Sequence, residues 1–138
     1  MSCDLNRFVV AQETAHERAM AEIISGHKRT HWMWFIFPQL RGLGQSRMSQ
    51  EFGIVDLSEA RAYLAHPLLG PRLRQLVALV GASDATITQI FGPDDCKYRS
   101  CLTLFALAEG ADGSFERALH EQSPGHRCQK TMELLGIR

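Results

Sequence analysis

The chain has no apolar run long enough to cross a membrane. Its longest, Trp32 to Phe37, falls far short of the ~18–20 residues that a spanning helix needs. It also lacks an excess of either charge. Lys plus Arg is 15 and Asp plus Glu is 15, so the formal net charge is zero with neutral His. A duplex-binding domain ordinarily carries a basic surplus, so nucleic acid is not expected as the main partner, and neither is a membrane. Cysteine is sparse and irregularly spaced, at Cys3, Cys96, Cys101 and Cys128. That pattern excludes a small secreted disulfide scaffold. The start, Met1 to Asn6, is polar and shows no signal-peptide core. These absences together lead to the expectation of a reduced, cytoplasmic setting. There is no repeat, no low-complexity stretch and no linker that would split the chain.

What is present is the composition of one globular domain over residues 1–138, with 45% hydrophobic and 22% charged residues. From about Asp4 to Ser25, Leu5, Phe8, Ala11, Ala15, Ala19 and Ile23 recur at three- and four-residue steps. They predict one helix face, with Gly26 as its stop and Ser2 or Asp4 as its cap. His31 to Gln39 fits neither period cleanly and reads as a short helix or an extended core segment that ends at Pro38. Arg41 to Gly53 has loop composition. Asp56 with Glu59 predicts a capping box, and the helix it opens ends before Pro67. Pro71 suits the first turn of the next helix, and Gly81 closes it. Asp84 is the expected cap of a short helix ending at Gly92. Another helix begins at Asp94 or Asp95 and ends at Gly110. Ser114 is the expected cap for Phe115 to His120, and a last short helix covers Arg127 to Leu135. The sum is an all-α domain of about six to seven helices in an irregular orthogonal bundle.

The most unusual local feature is the acid-free stretch from Ile23 to Gln50. It carries Lys28, Arg29, Arg41 and Arg47, with His27, His31, Trp32, Trp34 and Gln39. Guanidinium and ammonium groups hold anions, and aromatic rings stack on planar ligands. The bland alternative makes the tryptophans core and the charges a solvated rim. Gly42-Leu43-Gly44-Gln45-Ser46 invites a phosphate-loop reading, but no GK[ST] follows and no strand-turn-helix unit surrounds it.

A second cluster runs from Gly92 to Ser100. Here Asp94 or Asp95 has the chemistry of a general base, and Lys97, Arg99 and Ser100 that of anion-binding groups. The structural alternative is a surface ion pair between Asp95 and Arg99 at i, i+4. Cys96, Cys101, His120, His126 and Cys128 do not show paired zinc-ligand spacing, so no metal or cofactor is expected. Cys101 lies in an apolar stripe and reads as a buried thiol.

Several stretches are distinctive in combination. They are Leu5-Asn6-Arg7-Phe8 with Ala11-Gln12, and His31-Trp32-Met33-Trp34-Phe35-Ile36-Phe37-Pro38-Gln39. They continue through Gly42-Leu43-Gly44, Glu59-Ala60-Arg61-Ala62-Tyr63-Leu64, and His66-Pro67-Leu68-Leu69-Gly70. Ile90-Phe91-Gly92 and Lys97-Tyr98-Arg99-Ser100 with Thr103-Leu104-Phe105 complete the set. Together these stretches resemble a mostly bacterial family, the domain of unknown function numbered 1810; the resemblance spans nearly the whole chain and implies a single, mostly helical domain. It brings no activity, cofactor or catalytic residue. Some members carry the label calpastatin, which denotes a long disordered inhibitor unlike a compact domain. Size and helical character also resemble N-glycosidases that act on ADP-ribose-like compounds, an analogy at the level of fold.

Two functional expectations follow. The first is a site between the His31–Ser46 region and the Asp94–Ser100 run, taking a small anionic ligand such as a nucleotide or sugar phosphate. Lys28, Arg41, Lys97 and Arg99 hold the anion, Trp32 or Trp34 stacks on a ring, and Asp94 or Asp95 acts on water if the ligand is hydrolysed. The second is a protein-interaction or regulatory domain without catalysis, in which Trp32, Trp34 and Pro38 fill the core or form an apolar patch.

Overall fold

Capping side chains and left-handed glycines divide the chain into helices. The structure is a computed structural model that describes residues 4–125 and 127–137. Nine α-helices occur among the described residues: α1 (Asn6–Ser25), α2 (Met33–Ile36), α3 (Arg47–Glu51), α4 (Leu57–Ala65), α5 (Leu69–Ala82), α6 (Ile87–Phe91), α7 (Asp95–Glu109), α8 (Ser114–Gln122) and α9 (Gln129–Leu134). A 3-10 turn, Gly92–Asp94, joins α6 to α7. The only extended pairing among the described residues is an isolated parallel bridge between Leu40 and Ile54. The fold is therefore all-α, with one contiguous core.

The boundaries follow local chemistry, with some differences from the sequence reading. Gly26 ends α1 at φ 84°, a conformation that costs glycine little. The residue flanking the start of α1 is Leu5, without a side-chain cap; Asp4 does not cap it, and Ser2 and Cys3 lie outside the described residues. Asp56 Oδ1 accepts from the Glu59 amide at 2.8 Å, while the Glu59 carboxylate reaches past Asp56 to the Val55 amide at 2.9 Å. The His66 ring Nδ1 accepts from the Leu68 and Leu69 amides at 3.1 and 3.2 Å, so it satisfies donors at the start of α5.

Three expectations are corrected. Arg41 to Gly53 is not all loop: Ser46 accepts from the Ser49 amide and opens α3. The cap of α6 is Thr86, not Asp84, because Thr86 and Gln89 form a reciprocal capping box. Ser114 is the first residue of α8, and the carboxylate of Glu109 takes the capping position by accepting from the Phe115 amide at 3.0 Å.

Helix α7 is the axis of the domain. Nine of its residues are buried, from Tyr98 to Ala108, and it packs against α4, α6, α8 and α9. A helix buried this widely must be apolar on most sides. A chain of rings ties it to the tryptophan segment. Phe91 stacks on Tyr98 at 4.5 Å, Phe37 meets both edge-on at 5.6 and 5.1 Å, and Trp32 lies 6.0 Å from Phe37. Such pairs are worth about 0.5–1.5 kcal/mol each beyond their burial. This packing brings residues 28–34 against residues 94–98.

Candidate functional site

The link from α1 to α2 is held from behind by one carboxylate. Glu22, near the end of α1, is 8% exposed. It accepts from the Arg29 amide at 2.6 Å, the Thr30 amide at 3.0 Å, the Thr30 hydroxyl at 2.6 Å and Trp32 Nε1 at 3.0 Å. Burial alone would raise its pKa; these hydrogen bonds outweigh it and bring the pKa down to about 2. The Lys28 amide also donates to the Ile90 carbonyl at 2.7 Å. The link is thus fastened to α1 and α6, and Lys28 is carried to the start of α7.

There a cavity of about 280 Å³ opens, lined by Lys28, His31, Trp32, Met33, Trp34, Phe35, Ser46, Met48, Asp94 and Lys97. Two lysines converge on one carboxylate. Lys28 Nζ lies 3.1 Å from Asp94 Oδ2, and Lys97 Nζ lies 2.9 Å from Asp94 Oδ1. The Lys28 side chain is 10% exposed and that of Lys97 is 32% exposed. Asp94 occupies the cap position of α7 without making a capping bond, because its carboxylate faces the ammoniums instead. Burial pushes its pKa up, but the hydrogen bonds and charges of Lys97 and Lys28 prevail and hold it below the ordinary carboxylate value. Each lysine also lies over an indole ring, Lys28 at 5.2 Å from Trp32 and Lys97 at 5.0 Å from Trp34.

Five sequence-predicted residues therefore share one cavity: Lys28, Trp32, Trp34, Asp94 and Lys97. Their roles differ from simple expectation. Trp32 is 1% exposed and its indole N–H is spent on Glu22, so it is core as well as wall. Trp34 is half-buried. Five other candidates do not line the cavity. Gln39 is buried, with its backbone carbonyl accepting from the Ile54 amide at 2.8 Å. Arg41 is exposed and lines a separate shallow groove with Arg47, Gln50 and Glu51. Asp95 accepts from Thr88 at 2.8 Å and pairs with Arg99 at 3.4 Å. Arg99 also donates to Ser123 Oγ at 2.9 Å. Ser100 donates to the Cys96 carbonyl at 2.9 Å, and its Oγ lies 3.1 Å from Cys128 Sγ. The reason is helical phase: two steps along α7 rotate a side chain about 200°, so Lys97 and Arg99 face opposite ways.

Met33, Phe35 and Ser46 fall within the His31–Ser46 region expected to form one side of the site, but they and Met48 were not singled out as wall, and His31 was named only for its charge. The glycine-rich loop contributes Ser46 alone. Gly44 has a packing reason: a Cβ there would come within 2.9 Å of the Trp34 ring. Cys101 is fully buried, and burial pushes its thiol pKa well up. Among the described residues no three His, Cys, Asp or Glu side chains converge as metal ligands; His126 lies outside the described residues. Among the described residues, too, no single helix is long and apolar enough to cross a membrane.

No curated protein matches the chain. The crystal structure of the conserved hypothetical protein Rv1873 from Mycobacterium tuberculosis is similar, with a TM-score of 0.92 and 46% identity over 98% of each chain. A family model described as "Protein of unknown function (DUF1810)" matches residues 2–135, and the chain belongs to that family.

Proposed function

We propose that the cavity beside Trp34 binds a small anionic molecule, with Lys28 and Lys97 as its charged contacts. One observation carries this reading: two ammonium groups meet at the rim of a partly open hollow with a single carboxylate between them. Two cations and one anion leave a surplus of one positive charge. In a partly desolvated site that surplus attracts an anion more strongly than an exposed lysine does. Trp34, Met33, Phe35 and Met48 give the apolar wall usual for small-molecule sites.

The same geometry favours binding over water activation. Of the two candidate bases, Asp94 faces the cavity and Asp95 does not. The lysines keep Asp94 ionised but lower its basicity, and a general base works best with a pKa near the working pH. The exposed large apolar side chains are Val10, Ile24, Met48, Val55 and Leu134. They are spread over α1, α3, the link before α4 and α9, and neither tryptophan joins them.

Isothermal titration calorimetry with inorganic phosphate, AMP and ribose 5-phosphate tests the proposal. Saturable binding of at least one of them is expected, weakened about tenfold or more in Lys97→Met. Absence of heat with all three, or binding that Lys97→Met leaves unchanged, overturns it.

A further inference from the structure

The geometry points to a small phosphorylated polyol, the chemistry of a pentose or hexose phosphate, as the occupant of this cavity in preference to a nucleotide. This rests on the reading of the cavity as an anion site.

Size is the first argument. The hollow is partly open to solvent and has a volume of about 280 Å³, at the lower end of the roughly 300–1,000 Å³ of small-molecule sites. That is room for one sugar ring or open chain with a phosphate. A nucleotide adds a purine or pyrimidine, for which so small a volume leaves little covered space.

The second argument concerns the indole rings. A nucleobase needs an open aromatic face. Trp32 is 1% exposed and packed against Phe37 and Phe91. Trp34 carries the Lys97 ammonium over its ring, and that ammonium also bonds Asp94 at 2.9 Å. Gly44 closes on its edge, where even one methyl group on Gly44 would collide. A base stacking on the face beneath Lys97 would have to break two attractions at once.

The third argument is the carboxylate. Each oxygen of Asp94 accepts from one lysine, and each has a second lone pair. An ionised carboxylate repels phosphate but accepts strongly from hydroxyl groups. The hydroxyls of a polyol therefore turn toward Asp94. The phosphate turns toward Lys97 and Ser46, whose Oγ already accepts from the Ser49 amide at 3.1 Å and keeps its proton for donation.

AMP is ribose 5-phosphate with a base attached, so the pair isolates the base. Calorimetry is run with ribose 5-phosphate, AMP, inorganic phosphate and ribose on the wild-type protein and on Asp94→Asn. Ribose 5-phosphate is expected to bind about tenfold more tightly than either AMP or inorganic phosphate, and ribose not measurably. In Asp94→Asn the gap between ribose 5-phosphate and phosphate is expected to shrink to about threefold or less. AMP binding as tightly as ribose 5-phosphate, or more tightly, overturns the ligand class and leaves the anion site standing. A phosphate affinity equal to that of ribose 5-phosphate in the wild type does the same. Loss of binding by all three anions removes the anion site itself. The wild-type ranking decides the matter even if Asp94→Asn does not fold.

Discussion

Lys28 Nζ and Asp94 Oδ2 stand 3.1 Å apart, with the lysine side chain 10% exposed. The pair joins the link after α1 to the start of α7. It lies between an exposed ion pair, worth about 0–1 kcal/mol, and a fully buried one, whose disruption costs about 3–5 kcal/mol. Replacing Asp94 by Asn removes the negative charge between two ammoniums and leaves Lys28 largely desolvated without a counter-ion. A loss of about 1–3 kcal/mol at neutral pH is expected from urea denaturation, within the limits set by those two cases. A double-mutant cycle with Lys28→Met assigns the coupling to this pair. A coupling energy near zero would show that the contact contributes nothing to stability.

The two tryptophans differ sharply in environment. Trp32 is buried behind its bond to Glu22, whereas Trp34 lines the cavity wall. Acrylamide quenching separates them, because the protein has only these two. Trp34→Phe leaves Trp32 as the sole emitter, and quenching is expected to fall at least about threefold relative to Trp32→Phe, since a collisional quencher needs solvent access. Equal quenching in both variants would contradict the burial described for Trp32.

Helices with caps and clean periodicity were readable from the residues alone: α1 from its apolar steps and Gly26, α4 from Asp56, α7 from its apolar stripe and Gly110. The short helix α3 was not, and α2 was read only as one of two alternatives, since four or five residues carry too little periodicity. The Asp95–Arg99 pair was legible because i, i+4 spacing is a local rule. The Lys28–Asp94 pair was not. It depends on Trp32, Phe37, Phe91 and Tyr98 packing together, which no local rule encodes. Lys97 and Arg99 looked equivalent in the sequence until helical phase placed them on different sides of α7.

Gly70 gives the His-Pro-Leu-Leu-Gly stretch a physical reason. A Cβ on Gly70 would lie 2.1 Å from the Leu64 carbonyl oxygen, and that oxygen belongs to backbone that cannot move alone. Gly81 is also within α5, but its Cβ would meet the Gln122 side-chain amide at 2.9 Å, a group that can swing aside. Gly70→Ala is expected to cost about 3 kcal/mol or more, as severe overpacking does. Gly81→Ala is expected to stay within about 1 kcal/mol of wild type, since helix propensity favours alanine by a similar amount. Thermal melts of the two variants check the contrast. Similar melting temperatures would mean that α4 and α5 are not packed as closely as described.

Glu22 makes the fastening of the cavity wall depend on acid. Its pKa is about 2 in the folded protein against an ordinary 4.5. A depressed carboxyl pKa stabilises the fold above the unfolded value and loses that stabilisation as pH falls through the folded one. The window is therefore pH 4.5 down to about 2, and the contribution is on the order of 2 kcal/mol after allowance for residual solvent screening. Glu22→Gln keeps the shape and removes the titration. Urea denaturation at intervals from pH 7 to pH 2.5 is expected to show the variant less stable than wild type near neutrality. The difference should then narrow across the acid window. Asp94 and Glu109 titrate with the same sign in both proteins, so they cancel in the comparison. Parallel stability curves for the two proteins would mean that the Glu22 carboxylate does not gain its hydrogen bonds on folding.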